Sequence, residues 1–434
     1  MSMTSLLKQK KINFISLGCA KNLVDSEKLM GSLKASGYKV VFESPENDCD
    51  IVIVNTCGFI NDAKEESVDT ILQNAELKKK GYIKTLIVMG CLSERYKNEL
   101  KNEIIEIDAV FGVNNFEAIK HYLNAQSAEK IIQRTVTTLP HYAYLKIAEG
   151  CNRTCAFCII PQIRGKHVSV PIEKVVEEAR FLAHNGVKEL IVIAQDTTYY
   201  GVDIYKKRAL ALLLKELVKI EGIEWIRLHY TYPATFPADV LKLMAGEPKI
   251  CNYIDIPLQH ISNEVLKSMN RGIDKEKTFK LIEKIRKTIP NVNIRTSFIV
   301  GYPTETENDF RDLYDFVEAM KFDRVGVFKY SHEENTPAFI LKDKVSQKIK
   351  DKRYNILMEL QQQISSENNK KKIDQKMTVL IDAFNDGSFS GRTESDSPEI
   401  DNEVIITTKR NLKIGSFYTA KIIDADAYTL YGVI

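Results

Sequence analysis

The 434-residue sequence predicts an α/β protein in three parts: a Rossmann-like parallel α/β domain over 1–138, a partial (β/α)6 barrel over 139–372, and a small antiparallel, OB-like β-barrel over 373–434. Three observations carry this. Short β-rich apolar runs alternate with amphipathic stretches through most of the chain, as in parallel sheets flanked by helices. The alternation restarts after Leu139–His141, which reads as a linker. Past residue 372 the helical stretches stop, and only short β-type runs with Gly, Asp and Ser turns remain.

In order, Ile12–Leu17, Lys39–Phe42, Asp50–Val54 and Thr85–Met89 read as the strands of the first sheet. Tyr144–Ile147 opens the second, followed by Glu189–Ala194, Trp225–Tyr230, Tyr253–Ile256, Asn293–Val300 and Val325–Tyr330, with helices such as Pro171–Asn185 and Lys275–Ile289 between them. Six strands in this order make an open, incomplete barrel, whose chemistry belongs at the carboxyl ends of the strands. Val345–Lys372 is helix-forming and ends in the polar run Glu367-Asn-Asn-Lys-Lys-Lys372, read as a hinge with a solvated face. Met377–Ala383, Glu403–Thr407, Tyr418–Ile423 and Thr429–Ile434 are the strands expected of the last part.

Composition narrows the function classes. A hydrophobic content of 44% is ample for buried cores, and a net charge of +3 gives neither a nucleic-acid footprint nor a preference for acidic partners. No run approaches the roughly 18 to 20 apolar residues of a membrane span, and the first residues lack an apolar signal segment. A cytoplasmic, reducing compartment is expected, in which the eight cysteines stay free.

Six of those cysteines are placed for chemistry. Cys151, Cys155 and Cys158 form a C-x3-C-x2-C run. Thiolates are the usual ligands of iron–sulfur clusters, and three of them leave one iron of a four-iron cluster open to a small molecule. A zinc site would pair its cysteines and close at four ligands, with His167 the nearest fourth here. Cys19, Cys57 and Cys91 each fall just past the carboxyl end of an expected strand, each beside a glycine. Loops at that edge bind ligands, and glycine lets backbone approach a bulky group, so these three are expected to converge on a second cluster. The bland alternative is three buried core cysteines. Cys49 and Cys251 have no partners at ligand spacing and read as small buried hydrophobes.

The C-x3-C-x2-C spacing, with Phe157 before the last cysteine, resembles the signature of the radical S-adenosylmethionine (SAM) enzymes. A cysteine-bearing α/β domain, such a barrel and a terminal β-barrel in this order resemble the methylthiotransferases over nearly the whole chain. The resemblance implies two [4Fe-4S] clusters, one on Cys151, Cys155 and Cys158 that cleaves SAM to a radical and one on Cys19, Cys57 and Cys91 that delivers sulfur. It also implies that SAM is both methyl donor and radical source, and that the terminal module is a TRAM domain.

Ser16-Leu-Gly-Cys-Ala-Lys-Asn-Leu-Val-Asp-Ser-Glu27, Ala194-Gln-Asp-Thr-Thr-Tyr-Tyr-Gly201, Asp255-Ile-Pro-Leu-Gln-His260 and Asp396-Ser-Pro-Glu-Ile-Asp401 are similar to the branch that modifies an aspartate β-carbon in a small-subunit ribosomal protein of the uS12 family. That implies a ribosomal protein as partner, together with an electron donor and a sulfur source, no membrane, and direct RNA binding only as a secondary role. Methylthiolation of tRNA adenosine is the alternative, and a non-catalytic iron–sulfur or RNA-binding protein a further one. Val170 stands where the family usually has arginine and Asn402 where it commonly has glycine; neither removes a cluster ligand.

SAM needs polar partners from strand ends, for which Phe157, Gln195, Gln259, Arg295 and Ser297 are the candidates, with the Ile299-Val-Gly-Tyr-Pro303 turn on the adenine side. His229 and His260 lie at strand ends, where packing and function are both open. Between Ile373 and Ile434 six Lys and Arg face ten Asp and Glu, a net charge of −4. Such a barrel is expected to dock a basic protein rather than RNA.

Overall fold

The computed structural model describes residues 10–46, 48–125 and 133–434. They form two compact units: one from the chain up to Thr138 with 149–152 and 159–167, the other from 139–148, 153–158 and 168–434.

The first unit is built on a five-stranded sheet: β1 (Lys11–Ser16), β2 (Lys39–Phe42), β3 (Ile51–Thr56), β4 (Thr85–Gly90) and β5 (Ala109–Val110), with α1 (Ala20–Ala35) after β1, α2 (Asn61–Lys79) after β3 and α3 (Cys91–Arg95) after β4. The order β2-β1-β3-β4-β5 is parallel throughout. Strand β3, Ile-Val-Ile-Val-Asn-Thr, is buried along its whole length, as expected of a strand covered on both faces. Ile12, Phe14, Ile51, Ile53 and Ile87 pack one face under Leu29, Met30 and Leu33 of α1, while Val52, Val54, Leu86 and Val88 pack the other against Ile71 of α2. In this flavodoxin-like order the chain changes direction between β1 and β3, which opens a crevice at their carboxyl ends.

The second unit carries six parallel strands in sequential order: β6 (Tyr142–Lys146), β7 (Glu189–Ile193), β8 (Trp225–Leu228), β9 (Ile250–Asp255), β10 (Asn293–Val300) and β11 (Arg324–Lys329). Consecutive strands pair, β6 at one edge and β11 at the other. Leu190, Ile191, Val192 and Ile193 of β7 are fully buried, each such aliphatic side chain contributing on the order of 1.5–3 kcal/mol. Helix α4 (Gln347–Lys370) packs on β11. The run Glu367–Lys372, expected as a hinge, is helical to Lys370 and docked. Asn369 donates to the carbonyls of Asp426 (3.0 Å) and Ala427 (3.2 Å), and Ser365 donates to Ala427 (2.6 Å).

The last part is a closed five-stranded barrel of β12 (Lys376–Asn385), β13 (Ser388–Arg392), β14 (Glu403–Thr407), β15 (Phe417–Ala425) and β16 (Thr429–Val433). All its pairs are antiparallel except β14 with β16. Between β13 and β14 the chain enters the mouth of the six-stranded sheet at its amino end. Arg392 bonds Glu189 (2.6 Å), which also holds Arg227 (2.8 Å), and Arg227 donates to the Glu394 carbonyl (2.7 Å). Asp396 pairs with Arg324 (2.5 Å), Tyr142 donates to Glu399 (2.7 Å), and Tyr253 donates to Asp401 (2.6 Å).

These contacts overturn the expectation of an acidic docking face. Asp382, Glu394, Asp396 and Asp401, four of the ten anions, are turned inward onto Arg392, His141 and the sheet, while Glu399 stays exposed and accepts from Tyr142. With Arg392 also internal, the outer face of the barrel keeps five cations and six anions and is close to balanced. Among the described residues no helix is long and apolar enough to cross a membrane.

Candidate iron–sulfur and SAM sites

Cys19, Cys57 and Cys91 sit directly past β1 and β3 and at the end of β4, around the crevice where the strand order turns. The structure brings them together, and glycine is the reason it can. A Cβ on Gly18 (φ +87°) would lie 2.7 Å from Cys57 Cβ and 2.8 Å from its Sγ. One on Gly58 would lie 2.7 Å from the Leu92 nitrogen and 2.8 Å from the Cys91 carbonyl carbon. Gly90 (φ +103°) presses on Asn55 and the Thr56 backbone. The glycines thus let the three cysteine loops touch one another.

Two polar side chains tie the loops. Asn22, on the first turn of α1, donates to the carbonyls of Leu17 (3.0 Å) and Thr56 (3.0 Å), and its Oδ1 accepts from Cys91 Sγ (3.7 Å) and from Arg164 Nη2. Ser67 of α2 donates to the Cys57 carbonyl (2.9 Å) and accepts from its N–H (3.0 Å). The thiols are not alike. Burial raises the Cys19 thiol, but the cations of Lys21 and Arg164 and the amides of Asn22 and Lys21 at the start of α1 outweigh it, leaving Cys19 below the usual thiol range. Burial raises Cys57 and pushes Cys91 up to about 12, with Arg164 opposing in both cases. Among the described residues no three His, Cys, Asp or Glu side chains are close enough to share one metal ion. Three cysteines that interact electrostatically around one crevice suit a cluster with a separate iron for each thiolate.

Cys151 belongs to the same unit, where its N–H donates to the Gly165 carbonyl (3.0 Å). Gly150 (φ +71°) makes this approach possible, since a Cβ there would lie 2.1 Å from the Lys166 carbonyl oxygen. His167, the possible fourth ligand of a zinc reading, donates its N–H to Asn152 Oδ1 (3.0 Å) and is buried.

Cys155 and Cys158 lie in the second unit, in a turn where the Cys158 N–H donates to the Cys155 carbonyl (3.1 Å). The turn is pinned on two sides: Ala156 N–H to the Met269 carbonyl (2.9 Å), Ala338 N–H to the Ala156 carbonyl (2.7 Å), and Asn270 to Thr154. Arg271 donates to Cys155 Sγ (3.2 Å) and stacks on Tyr232, 4.5 Å from the ring centroid. Arg153 stacks on the same ring at 4.0 Å and bonds Asp196 (2.7 Å). Among the described residues the Nε of buried Arg271 has no hydrogen-bond partner. A cysteine sulfur beside a guanidinium with an unspent N–H fits an anionic cluster and an anionic ligand group.

Of the candidates for SAM contact, Phe157 packs against a core of Val265, Met269, Ile299 and Tyr302. Gln195 is half-buried just past β7. Arg295 and Ser297 alternate on β10 and so share a face. Gln259 (φ +75°) bridges to that strand and donates to Ser297 Oγ (3.4 Å). Arg295 is already engaged by Asp255 (3.3 Å) and Asp401 (3.6 Å). The Gly301 turn is held by buried Glu305, whose Oε2 accepts from the N–H groups of Gly301 and Tyr302. His229 is a packing residue, stacked on Tyr253 and bonded to Ser397 (3.0 Å), and His260 lies fully buried 3.9 Å from Glu305. Cys49 and Cys251 are buried as expected, Cys251 against Trp225 and Phe417.

Asn22, Arg153, Arg164, Arg271 and Glu305 escaped the reading of the sequence. Asn22 and Arg164 lie inside motifs that it singled out, the first three residues past Cys19 and the second opening Arg164-Gly-Lys-His.

Three protein families match the chain. The radical SAM superfamily matches residues 145–317, an uncharacterized protein family, UPF0004, matches 11–112, and the TRAM domain matches 373–434. The chain is 56% identical over 431 residues to the ribosomal protein uS12 methylthiotransferase RimO of Flavobacterium psychrophilum, covering 99% of both chains. It is 49% identical to the protein of that name from Bacteroides thetaiotaomicron, covering 99% of each. Among solved structures, the radical SAM methyltransferase TsrM of Kitasatospora setae matches with a TM-score of 0.59 at 14% identity, covering 76% of this chain and 77% of the other, which shows a shared fold.

Proposed function

The chain belongs to the family of the ribosomal protein uS12 methylthiotransferase RimO, and from that premise we propose that it adds a methylthio group to the β-carbon of an aspartate in that ribosomal protein, in the cytoplasm. Two [4Fe-4S] clusters and SAM supply, when bound, the sulfur site, the methyl group and a radical able to abstract hydrogen. Cys151, Cys155 and Cys158 hold the cluster that meets SAM, and Cys19, Cys57 and Cys91 hold the one that delivers sulfur. Arg271 balances the charge at Cys155, while Gln195, Gln259, Arg295, Ser297 and Phe157 line the SAM side. An electron donor and a sulfur source complete the partners; direct RNA contact is secondary, since the outer face of the terminal barrel carries no excess of cations.

The observation that carries this reading is the meeting of three cysteine loops, mutually packed through glycine, at the switch point of the first sheet. Its test is anaerobic reconstitution with iron, sulfide, SAM and a reductant, offering ribosomal proteins and unmodified tRNA together. A methylthio group should appear on an aspartyl peptide and not on adenosine. Cys155→Ala should abolish 5′-deoxyadenosine formation, whereas Cys57→Ala should keep it and lose sulfur insertion. Sulfur insertion by the Cys57 variant would remove the first unit from the mechanism.

A further inference from the structure

We propose that Arg164 is the resident counter-cation of the cluster on Cys19, Cys57 and Cys91, a positioning residue that sets how readily that cluster accepts an electron. The inference rests on those three cysteines being ligands. Arg164 ends a five-residue helix, Ile160–Arg164, six positions past Cys158, yet its side chain lies in the crevice of the first sheet and is 2% exposed. Its two ends face different surroundings. Nη1 meets Asp25 (3.1 Å) and both oxygens of Glu149 (2.9 and 3.0 Å), whereas Nη2 bonds the neutral Oδ1 of Asn22, the same oxygen that accepts from Cys91 Sγ.

An arginine kept only as a structural ion pair has no need of that second edge among the thiols. Three thiolates on a dicationic cluster leave a net negative charge, and reduction adds another in a buried setting where Coulomb terms are large. A fixed guanidinium alongside favours the reduced state. The next residue, Gly165, gives its carbonyl to the Cys151 N–H (3.0 Å), which fixes the turn that carries Arg164.

The test uses full-length protein in which Cys151, Cys155 and Cys158 are alanine, so that the Cys19 site alone is loaded. Its midpoint potential is measured by EPR during titration with titanium(III) citrate. Arg164→Gln should bind iron but shift the reduction equilibrium at least tenfold toward the oxidised form, about 59 mV for one electron. Arg164→Lys should stay close to the parent, and Asp25→Asn, which frees the guanidinium from a carboxylate, should shift the other way. A purely structural role moves stability without this pair of opposite signs. Unchanged potentials in both Arg164→Gln and Asp25→Asn overturn the inference, and if Arg164→Gln does not fold, an unshifted Asp25→Asn overturns it alone. Failure of the parent to bind any iron is a separate outcome, which overturns the ligand reading and the inference with it.

Discussion

Gly18 sets the tolerance of the sulfur-side crevice. Its φ of +87° costs an alanine roughly 1–2 kcal/mol, and the added Cβ would sit 2.7 Å from Cys57 Cβ. Gly81 has a similar φ of +81° but nothing within 4 Å, so it isolates the backbone cost. Gly18→Ala should therefore lose iron from the Cys19 site, read in protein lacking the other three cysteines, while Gly81→Ala loses only stability. Cys91 carries a pH signature of its own. Burial raises its thiol from 9.0 to about 12 in the metal-free protein, so the folded state holds that proton more tightly than the unfolded chain. The resulting stability is full below pH 9 and is lost as pH rises toward 12, at about 1.4 kcal/mol per pH unit at most. Urea midpoints of metal-free protein at pH 8 and 10 should fall more for wild type than for Cys91→Ser, whereas equal falls would mean that Cys91 is not buried as described. The meeting of the three cysteines was legible in the sequence because strand-end Gly/Cys pairs are local signals. Asn22 and Arg164 were not, because a single polar residue gains its meaning only from loops that arrive from elsewhere in the chain.

Among the elements, the parallel strands were the most legible, since fully buried runs such as Ile51–Thr56 and Glu189–Ile193 leave little other choice. Strand Ser388–Arg392, Ser-Phe-Ser-Gly-Arg, was missed because its small residues lack an apolar alternation, and its place is fixed by pairing with β12 and β14. The segment that follows it was misread most. Its carboxylates looked like surface charge, but whether an acid is solvated or buried depends on whether a cation waits on another strand, and Arg295 and Arg324 gave no local sign of that. Arg392 is the key to this insertion: it bonds fully buried Glu189 and, through Nε, Asp382 (2.7 Å), which also meets His141. Arg392→Ala leaves Glu189 with Arg227 alone and should cost on the order of 3–5 kcal/mol, the scale for breaking a buried pair from one side. Denaturant unfolding checks it; a loss below about 1 kcal/mol would mean that the pair is wetter than its burial implies.

At the scale of the whole molecule, the terminal barrel is part of the foundation of the SAM-cleaving sheet. The residues between β13 and β14 fill the amino end of that sheet, opposite the end that carries Gln195 and the Cys155 turn, and they add partners to those the sheet finds within itself. Arg324 has Asp396, Arg227 has the Glu394 carbonyl, Asn293 has Ser395 (2.7 Å) and Tyr253 has Asp401. Trp225 packs edge-on against Phe417 with ring centroids 4.8 Å apart. A chain ending at residue 372 would keep both cysteine triplets yet take from Arg324 its carboxylate partner and from Arg227 a carbonyl, a loss on the order of several kcal/mol against a domain stability of about 5–15 kcal/mol. Such a chain should therefore lose SAM cleavage as well as substrate modification, with a lowered thermal midpoint. If the terminal barrel were only a tether for its target, the truncated enzyme would still make 5′-deoxyadenosine at the full rate and fail only at the ribosomal protein. Measuring the two activities side by side separates these cases, and the buried ion pairs favour the joint loss because they act on the sheet that positions the chemistry rather than on the surface that meets a partner.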